Sequence, residues 1–332
     1  MTPRTYAPSP STFAEDPDRY CEGGLYPLVI GDTLKCGRYR IVHKLGSGSS
    51  VTVWLARDTS ENKYVSLKVL SAITSAGYKE LRILQGITNS KVNHKGRDLV
   101  IQLLDHFTIS GPNSQHLGVV TAVAGSRLAR RPGLPYNSLE WPRIIGLQIA
   151  EALAYLHLLG IAHGAFNFNP YCYTSNILNQ LLPFDEWTKE ELYACLGKPI
   201  KHYVRRLDGQ LRGNNAPEYT VDPCNILSLE ARLATERILL IDLGAAFYHH
   251  EPPDTIITPV PYKAPEILFG GELTFAVDKW AFGCLLYELC ADHSLFKLLF
   301  GWNNDAMKDQ VAMLGKPPEG LWKNWDFERS PR

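Results

Sequence analysis

The chain has 332 residues, with 34 basic and 34 acidic side chains and a formal net charge of zero. That length suits one large domain or two medium ones, and the neutral balance excludes a global field that would steer nucleic acid or an acidic surface toward it. No apolar run reaches the roughly 18 residues of a membrane span, the N-terminus has no basic-then-apolar leader pattern, and the seven cysteines lack zinc spacing.

Direct nucleic-acid and membrane partners are therefore not expected. Reduced thiols in a cytoplasmic or nuclear protein are.

In chain order, residues 1–20 are rich in Pro, Ser and Thr and predict a disordered arm, with a lead-in to residue 38. "RYRIVHKL", "VTVWLARD" and "YVSLKVL" predict three strands joined by the turn-rich "GSGSS" and "TSENK", an antiparallel meander. "AGYKELRILQGI" predicts a helix with Leu81, Leu84 and Ile87 on one stripe. "LVIQLLDHFTI" and "HLGVVTAVA" complete a five-stranded antiparallel sheet with one helix, over 39–125. Beyond Gly125 the pattern becomes mainly helical, over 126–332. Ile145, Ile149, Ala152 and Leu156 recur at helical spacing, which predicts a buried helix over 142–159 with Pro142 in its first turn. Residues 179–237 form a long insert with its own helix, "DEWTKEELYACLG", and are too long to be structureless in a compact domain.

Several motifs carry candidate chemistry. Gly46 and Gly48 lie between two strands, where glycine lets the backbone offer its N–H groups to phosphates, although a two-glycine hairpin is equally an ordinary turn. Val51 stands where a third glycine would strengthen that reading. Strand alternation puts Ser66 and Lys68 on one face. Glu80 follows on the helix, and the two charges would need each other if buried. Asp242 ends the apolar strand "ILLIDLG" and, with Asn176, offers the oxygen donors a hard divalent cation wants; a simple D-x-G turn reads the same way. Ala264-Pro265-Glu266 is followed, twelve residues after Glu266, by Asp278-x-Trp280-x-x-Gly283 opening an apolar helix.

In order, these are the glycine-rich loop, strand lysine, helix glutamate, catalytic loop, D-F-G-like and A-P-E elements of a protein kinase. From about Tyr39 to Trp325 the chain resembles eukaryotic-type protein kinases. Within them it resembles the SR-protein kinases, in a divergent fungal-type form. "YCEGGLYPLVIGD", "LLDHFTISGPNSQHLGVV", the D-L-G form and the long insert before it carry that closer resemblance.

The resemblance implies an α+β, bilobal fold and ATP and magnesium as cofactors. Lys68 would hold the α/β-phosphates and Glu80 would orient Lys68. Asn176 and Asp242 would hold the metal. Leu45, Gly46, Gly48, Val53, Ser66, Thr121, Ala122, Ala124 and Leu178 would surround the nucleotide. Asp278 would brace the catalytic loop backbone, and His163 would be a packing residue. A monomer acting on protein substrates, among them Arg/Ser-rich splicing-type proteins, follows from the same resemblance; Asp305 and Asp309 are among the few acids that would face such a substrate.

"HGAFNFNPYCYTSNIL" departs from the kinase loop H-R-D-L-x-x-x-N. The position of the Asp base is Ala165, and Asn176 lies eleven residues on, where five are expected. The six extra residues are expected to displace Asn176. Asp185 is the next acid, but it would have to reverse past Asn176. Gly164 replaces the arginine that pairs with an activation-loop phosphate in many kinases, so Thr255 and Thr258 are not expected to need phosphorylation. The chain ends near the second helix after the Asp278 helix, so Glu266 is expected to lack the arginine that related kinases supply, and the large lobe its last helices. Four alternatives stay open at this point: an ATP-dependent serine/threonine kinase, active or weakly so, a nucleotide-binding pseudokinase acting as a scaffold, a non-functional kinase variant, and a small-molecule phosphotransferase, which the A-P-E and D-x-W-x-x-G elements disfavour.

Overall fold

The computed structural model describes residues 4–128, 139–165, 176–291, 293–296 and 303–323. The chain divides into two compact units. The first is built from residues 1–81, 102–126 and 180–235, the second from 82–101, 127–179 and 236–332.

The first unit is organised on one sheet. Its strands are β1 (Thr33–Leu34), β2 (Tyr39–Gly48), β3 (Val51–Asp58), β4 (Lys63–Leu70), β5 (Leu103–Gly111) and β6 (Ser114–Thr121), in the order β1-β2-β3-β4-β6-β5 with antiparallel neighbours. The sheet thus has six strands where five are expected. The additional one is too short to show a period-2 pattern in sequence and exists because Thr33 and Leu34 pair with Arg40 and Tyr39. β4 shows the alternation clearly. Val65, Leu67 and Val69 enter a core with Ile41, Trp54 and Val120, while Ser66 and Lys68 stay half-buried. Each fully buried Val or Leu there contributes about 1.5–3 kcal/mol. Helices α1 (Ala72–Ser75) and α2 (Lys79–Asn89) follow β4.

The insert, expected within 126–332, belongs to the first unit instead. Its helix Lys189–Leu196 starts with a capping box in which Thr188 and Glu191 satisfy each other's backbone N–H groups. Gly197, at φ 84°, ends it. Leu192, Cys195 and Leu196 pack with Phe184 and Leu229 against Val42, Leu55 and Tyr64 of the sheet. A sequence-order assignment cannot see this, because Val42, Leu55 and Tyr64 lie more than 100 residues before the insert.

The N-terminal arm is also a correction. Residues 4–20 are ordered by two aromatic anchors that a composition argument averages away. Tyr6 and Tyr20 are buried with Leu25, Val204 and Ala216. Tyr6 bridges to Arg206, and its hydroxyl donates to the Arg212 carbonyl at 2.9 Å.

The second unit is mainly helical. Its longest helix, Glu140–Leu158, buries Ile145, Ile149, Ala152 and Leu156, the predicted stripe, and begins two residues before the predicted start. Helices Pro265–Leu268, Ala276–Ala291 and Asn303–Leu314 follow. A short pair, Ile161–Ala162 against Phe247–Tyr248, frames the loop that starts at His163. No helix among the described residues is long and apolar enough to cross a membrane.

Candidate active site

In the first unit, register places the candidate residues side by side. Gly46 pairs with Val53, Val53 with Lys68, and Ser66 with Thr121. Paired residues of antiparallel strands share a face, so Val53, Ser66, Lys68 and Thr121 lie on one side of the sheet. Lys68 Nζ is 2.9 Å from Glu80 Oε2. Glu80 is 94% buried, so the ammonium offsets a carboxylate that would be costly alone. Tyr78 adds a part that sequence reading missed. Its hydroxyl bonds to Glu80 Oε2, and its ring centre lies 5.2 Å from Lys68 Nζ, within cation–π reach. A tyrosine two residues before a helix glutamate was the available signal. Leu45 and Val123 pack at the margin of the insert's core, and Glu230 of the insert accepts from the Ser126 N–H at 2.6 Å, just after Ala122 and Ala124. The insert therefore supports the strand end at which the adenine contacts are expected.

In the second unit the loop after Ala162 is held by its backbone. The Asp278 carboxylate accepts from the N–H of His163 at 2.8 Å and of Gly164 at 2.9 Å, and His157 Nε2 lies 2.9 Å from it. His163 is fully buried, with Nε2 3.2 Å from the Ile241 carbonyl. Gly164 sits at φ 75°, and a Cβ there would come within 2.5 Å of the Ala245 carbonyl oxygen. No arginine, nor any other side chain, fits at this position without backbone movement. Thr258 is buried and donates to the Gly164 carbonyl at 2.7 Å, which makes it a structural hydroxyl.

Asn176 corrects an expectation. Its side-chain amide nitrogen donates to the Ala165 carbonyl at 2.7 Å, and its main-chain carbonyl accepts from the Ile241 N–H at 2.9 Å. The two ends of the enlarged loop are thus tied together, and Asn176 sits beside the residue that precedes Asp242. The six extra positions lie within 166–175, outside the described residues. Asp242 is exposed at φ 61°, a left-handed conformation that Asp tolerates better than most residues. Asn176 and Asp242 together fit a hard cation: one carboxylate, and the amide oxygen that the bond to Ala165 leaves unused. Leu178 is half-buried in this unit. The Asp185 carboxylate accepts from the Tyr64 N–H at 2.7 Å in the first unit. Among the described residues Glu266 Oε1 is buried without a hydrogen-bond partner, and burial raises the Glu266 pKa.

Comparison with known proteins places this arrangement. The sequence model of the protein kinase domain matches residues 221–326. A serine/threonine protein kinase of Aspergillus fumigatus is 30% identical over 305 residues, covering 89% of this chain and 69% of that protein. The serine/threonine-protein kinase spk-1 of Caenorhabditis elegans is 38% identical over 156 residues, 45% of this chain and 16% of that protein. SRSF protein kinase 3 of Mus musculus is 36% identical over 174 residues, 47% of this chain and 30% of that protein. The chain belongs to the protein kinase family, as an SR-protein-kinase-like eukaryotic kinase. It spans well under two thirds of the length of the nematode and mammalian relatives it matches. Its relatives are serine/threonine kinases, and the family works with ATP and magnesium.

Proposed function

We propose that this chain binds magnesium-ATP and transfers the γ-phosphoryl group to serine or threonine hydroxyls of a protein, slowly. The observation that supports it best is the Lys68–Glu80 ion pair at 2.9 Å, the arrangement that phosphate binding by a kinase lysine requires. In this reading Lys68 neutralises the α- and β-phosphates. Leu45, Val53, Ser66, Thr121, Ala122, Ala124 and Leu178 contact the nucleoside. The glycine turn at Gly46 and Gly48 would cover the phosphates, and Asp242 and Asn176 would hold the magnesium, which would supply charge neutralisation. The attacking hydroxyl bonds to the γ-phosphorus, the bridging P–O bond to the β-phosphate breaks, and the hydroxyl proton leaves to solvent, because Ala165 offers no acceptor. A general base contributes about 10²–10⁴-fold, which sets the size of the deficit. The substrate class we favour is Arg/Ser-rich protein, after the name of the mouse relative. The same reading takes the protein as a monomer of the cytoplasm or nucleus, after the resemblance.

Ala165 also favours a second reading, a nucleotide-binding pseudokinase that acts as a scaffold. Calorimetry with magnesium-ATP beside a phosphorylation assay on an Arg/Ser-rich peptide separates them. Binding with slow peptide phosphorylation is the expected result. Binding with no phosphorylation over hours selects the scaffold, and absence of binding rejects both.

A further inference from the structure

The glycine turn between β2 and β3 is gripped by residues far from it in sequence. The Lys44 side chain, at the end of β2's regular pairing, is fully buried and ion-paired with Glu15. The Tyr20 hydroxyl bonds to the other Glu15 oxygen, and Lys44 Nζ lies 5.4 Å from the centre of the Trp54 ring. Four residues beyond Glu15, Arg19 Nη1 donates to the Gly48 carbonyl at 2.9 Å. The Lys44 carbonyl accepts from the Cys224 N–H of the insert at 2.8 Å. The stretch from Lys44 to Gly48 is thus tied at one end through Glu15 and at the other through Arg19. Between the ties the turn is open: a Cβ on Gly46 would meet nothing within 4 Å, and the pairing of β2 with β3 shifts register between Lys44 and Gly46.

The arm that supplies these ties is itself anchored. Tyr6, Tyr20 and Leu25 share a small core with Val204 and Ala216 of the insert, and the carbonyls of Gly23 and Gly24 accept from Ile73 and Ala72 at 3.0 Å each, where α1 begins. Lifting the arm would strip a buried ammonium of its carboxylate, which is strongly unfavourable. Burial pulls the Lys44 ammonium down to about 7, against the pull of Asp222.

We propose that Glu15, Arg19 and Lys44 are positioning residues: a clamp, formed by the N-terminal arm, that holds the glycine turn in its phosphate-binding conformation. The inference rests on reading that turn as a phosphate cover. It assigns a role to the arm that packing alone would not, because a turn with flexible glycines must lose conformational freedom to engage phosphates, and a turn held beforehand loses less.

The test uses the full chain as wild type, Arg19→Ala, Arg19→Lys, and the double variant Glu15→Gln/Lys44→Met, which removes both buried charges together. Hydrogen exchange of the backbone amides at 46–50 is measured without nucleotide, and affinities for magnesium-ATP and for adenosine by calorimetry. The clamp predicts about tenfold faster exchange in Arg19→Ala and in the double variant, with recovery in Arg19→Lys. It predicts about fivefold to tenfold weaker magnesium-ATP binding and unchanged adenosine binding, because adenosine has no phosphates for the turn to cover. Unchanged exchange in both variants overturns the clamp, and so does an equal loss of ATP and adenosine affinity, which would mark general destabilisation. A wild type that binds neither ligand rejects the kinase reading instead, while the exchange measurement still decides on the clamp.

Discussion

Lys68 and Glu80 in the first unit are held by side chain on side chain, whereas the loop from His163 to Asn176 in the second is held through backbone atoms. The lysine half depends on three particular residues: an ammonium, a buried carboxylate and the Tyr78 ring and hydroxyl. The loop half depends on the N–H groups of His163 and Gly164 and on the carbonyl of Ala165. Every residue type except proline has those backbone groups. A side chain can therefore be lost at position 165 with the loop's framework intact, while a change at 68 takes the ammonium away from the buried Glu80 carboxylate. The difference explains how a chain can lack the base and still keep the bracing Asp278 and the tied Asn176.

Restoring the acid is the largest expected effect. Ala165→Asp alone should raise the rate of peptide phosphorylation by about 10²-fold or more, measured at saturating magnesium-ATP. Deleting residues 167–172 as well should add little, because Asn176 already reaches the Ala165 carbonyl. A rise seen only with the deletion would mean that the enlarged loop, and not the missing acid, limits turnover.

The lysine half is tested by ligand-induced stabilisation. Magnesium-ATP at about 100 times its dissociation constant should stabilise the fold by roughly 2.7 kcal/mol. Lys68→Ala should remove most of that, read as the loss of the thermal shift. A shift preserved in Lys68→Ala would place the phosphates elsewhere.

Backbone dependence of the loop half predicts a third effect. Gly164→Ala should cost about 1–3 kcal/mol in a urea titration, because it forces a side chain into a left-handed conformation against the Ala245 carbonyl. Ala165→Gly, one residue on, should cost less than about 1 kcal/mol. Equal costs at the two positions would contradict the backbone account of the loop.

The smallest effect concerns Glu266. Burial raises its folded-state pKa above the usual carboxylate value, so the folded chain binds more protons than the unfolded one in the window above about 4.5. The stability contributed by protonated Glu266 is present at acid pH and is lost as pH rises through the folded value. At neutral pH Glu266→Gln should raise the melting temperature by about 2–4 °C and flatten that part of the pH profile. A lowered melting temperature would show that the charge has a partner.

The sequence alone was enough for the parts set by local pattern and linear order. Alternation along β4 put Ser66 and Lys68 on one face, helical spacing marked Ile145 to Leu156 as a buried stripe, and the order from Gly46 to Asp278 defined the kinase resemblance. Ala165 and Gly164 were legible as departures because a single residue type carries each role. What needed the tertiary structure was whatever depends on contacts between distant segments. Composition made residues 4–20 look disordered, yet two tyrosines find a core supplied by the insert almost 200 residues later. Spacing made Asn176 look displaced, yet a hydrogen bond closes the loop across its ten intervening residues. Sequence order put the insert, 179–237, with the helical part, yet the apolar side chains of 180–235 pack on Val42, Leu55 and Tyr64 of the sheet. In each case the deciding energy is burial or a hydrogen bond between segments, and neither is written in the local sequence of one partner.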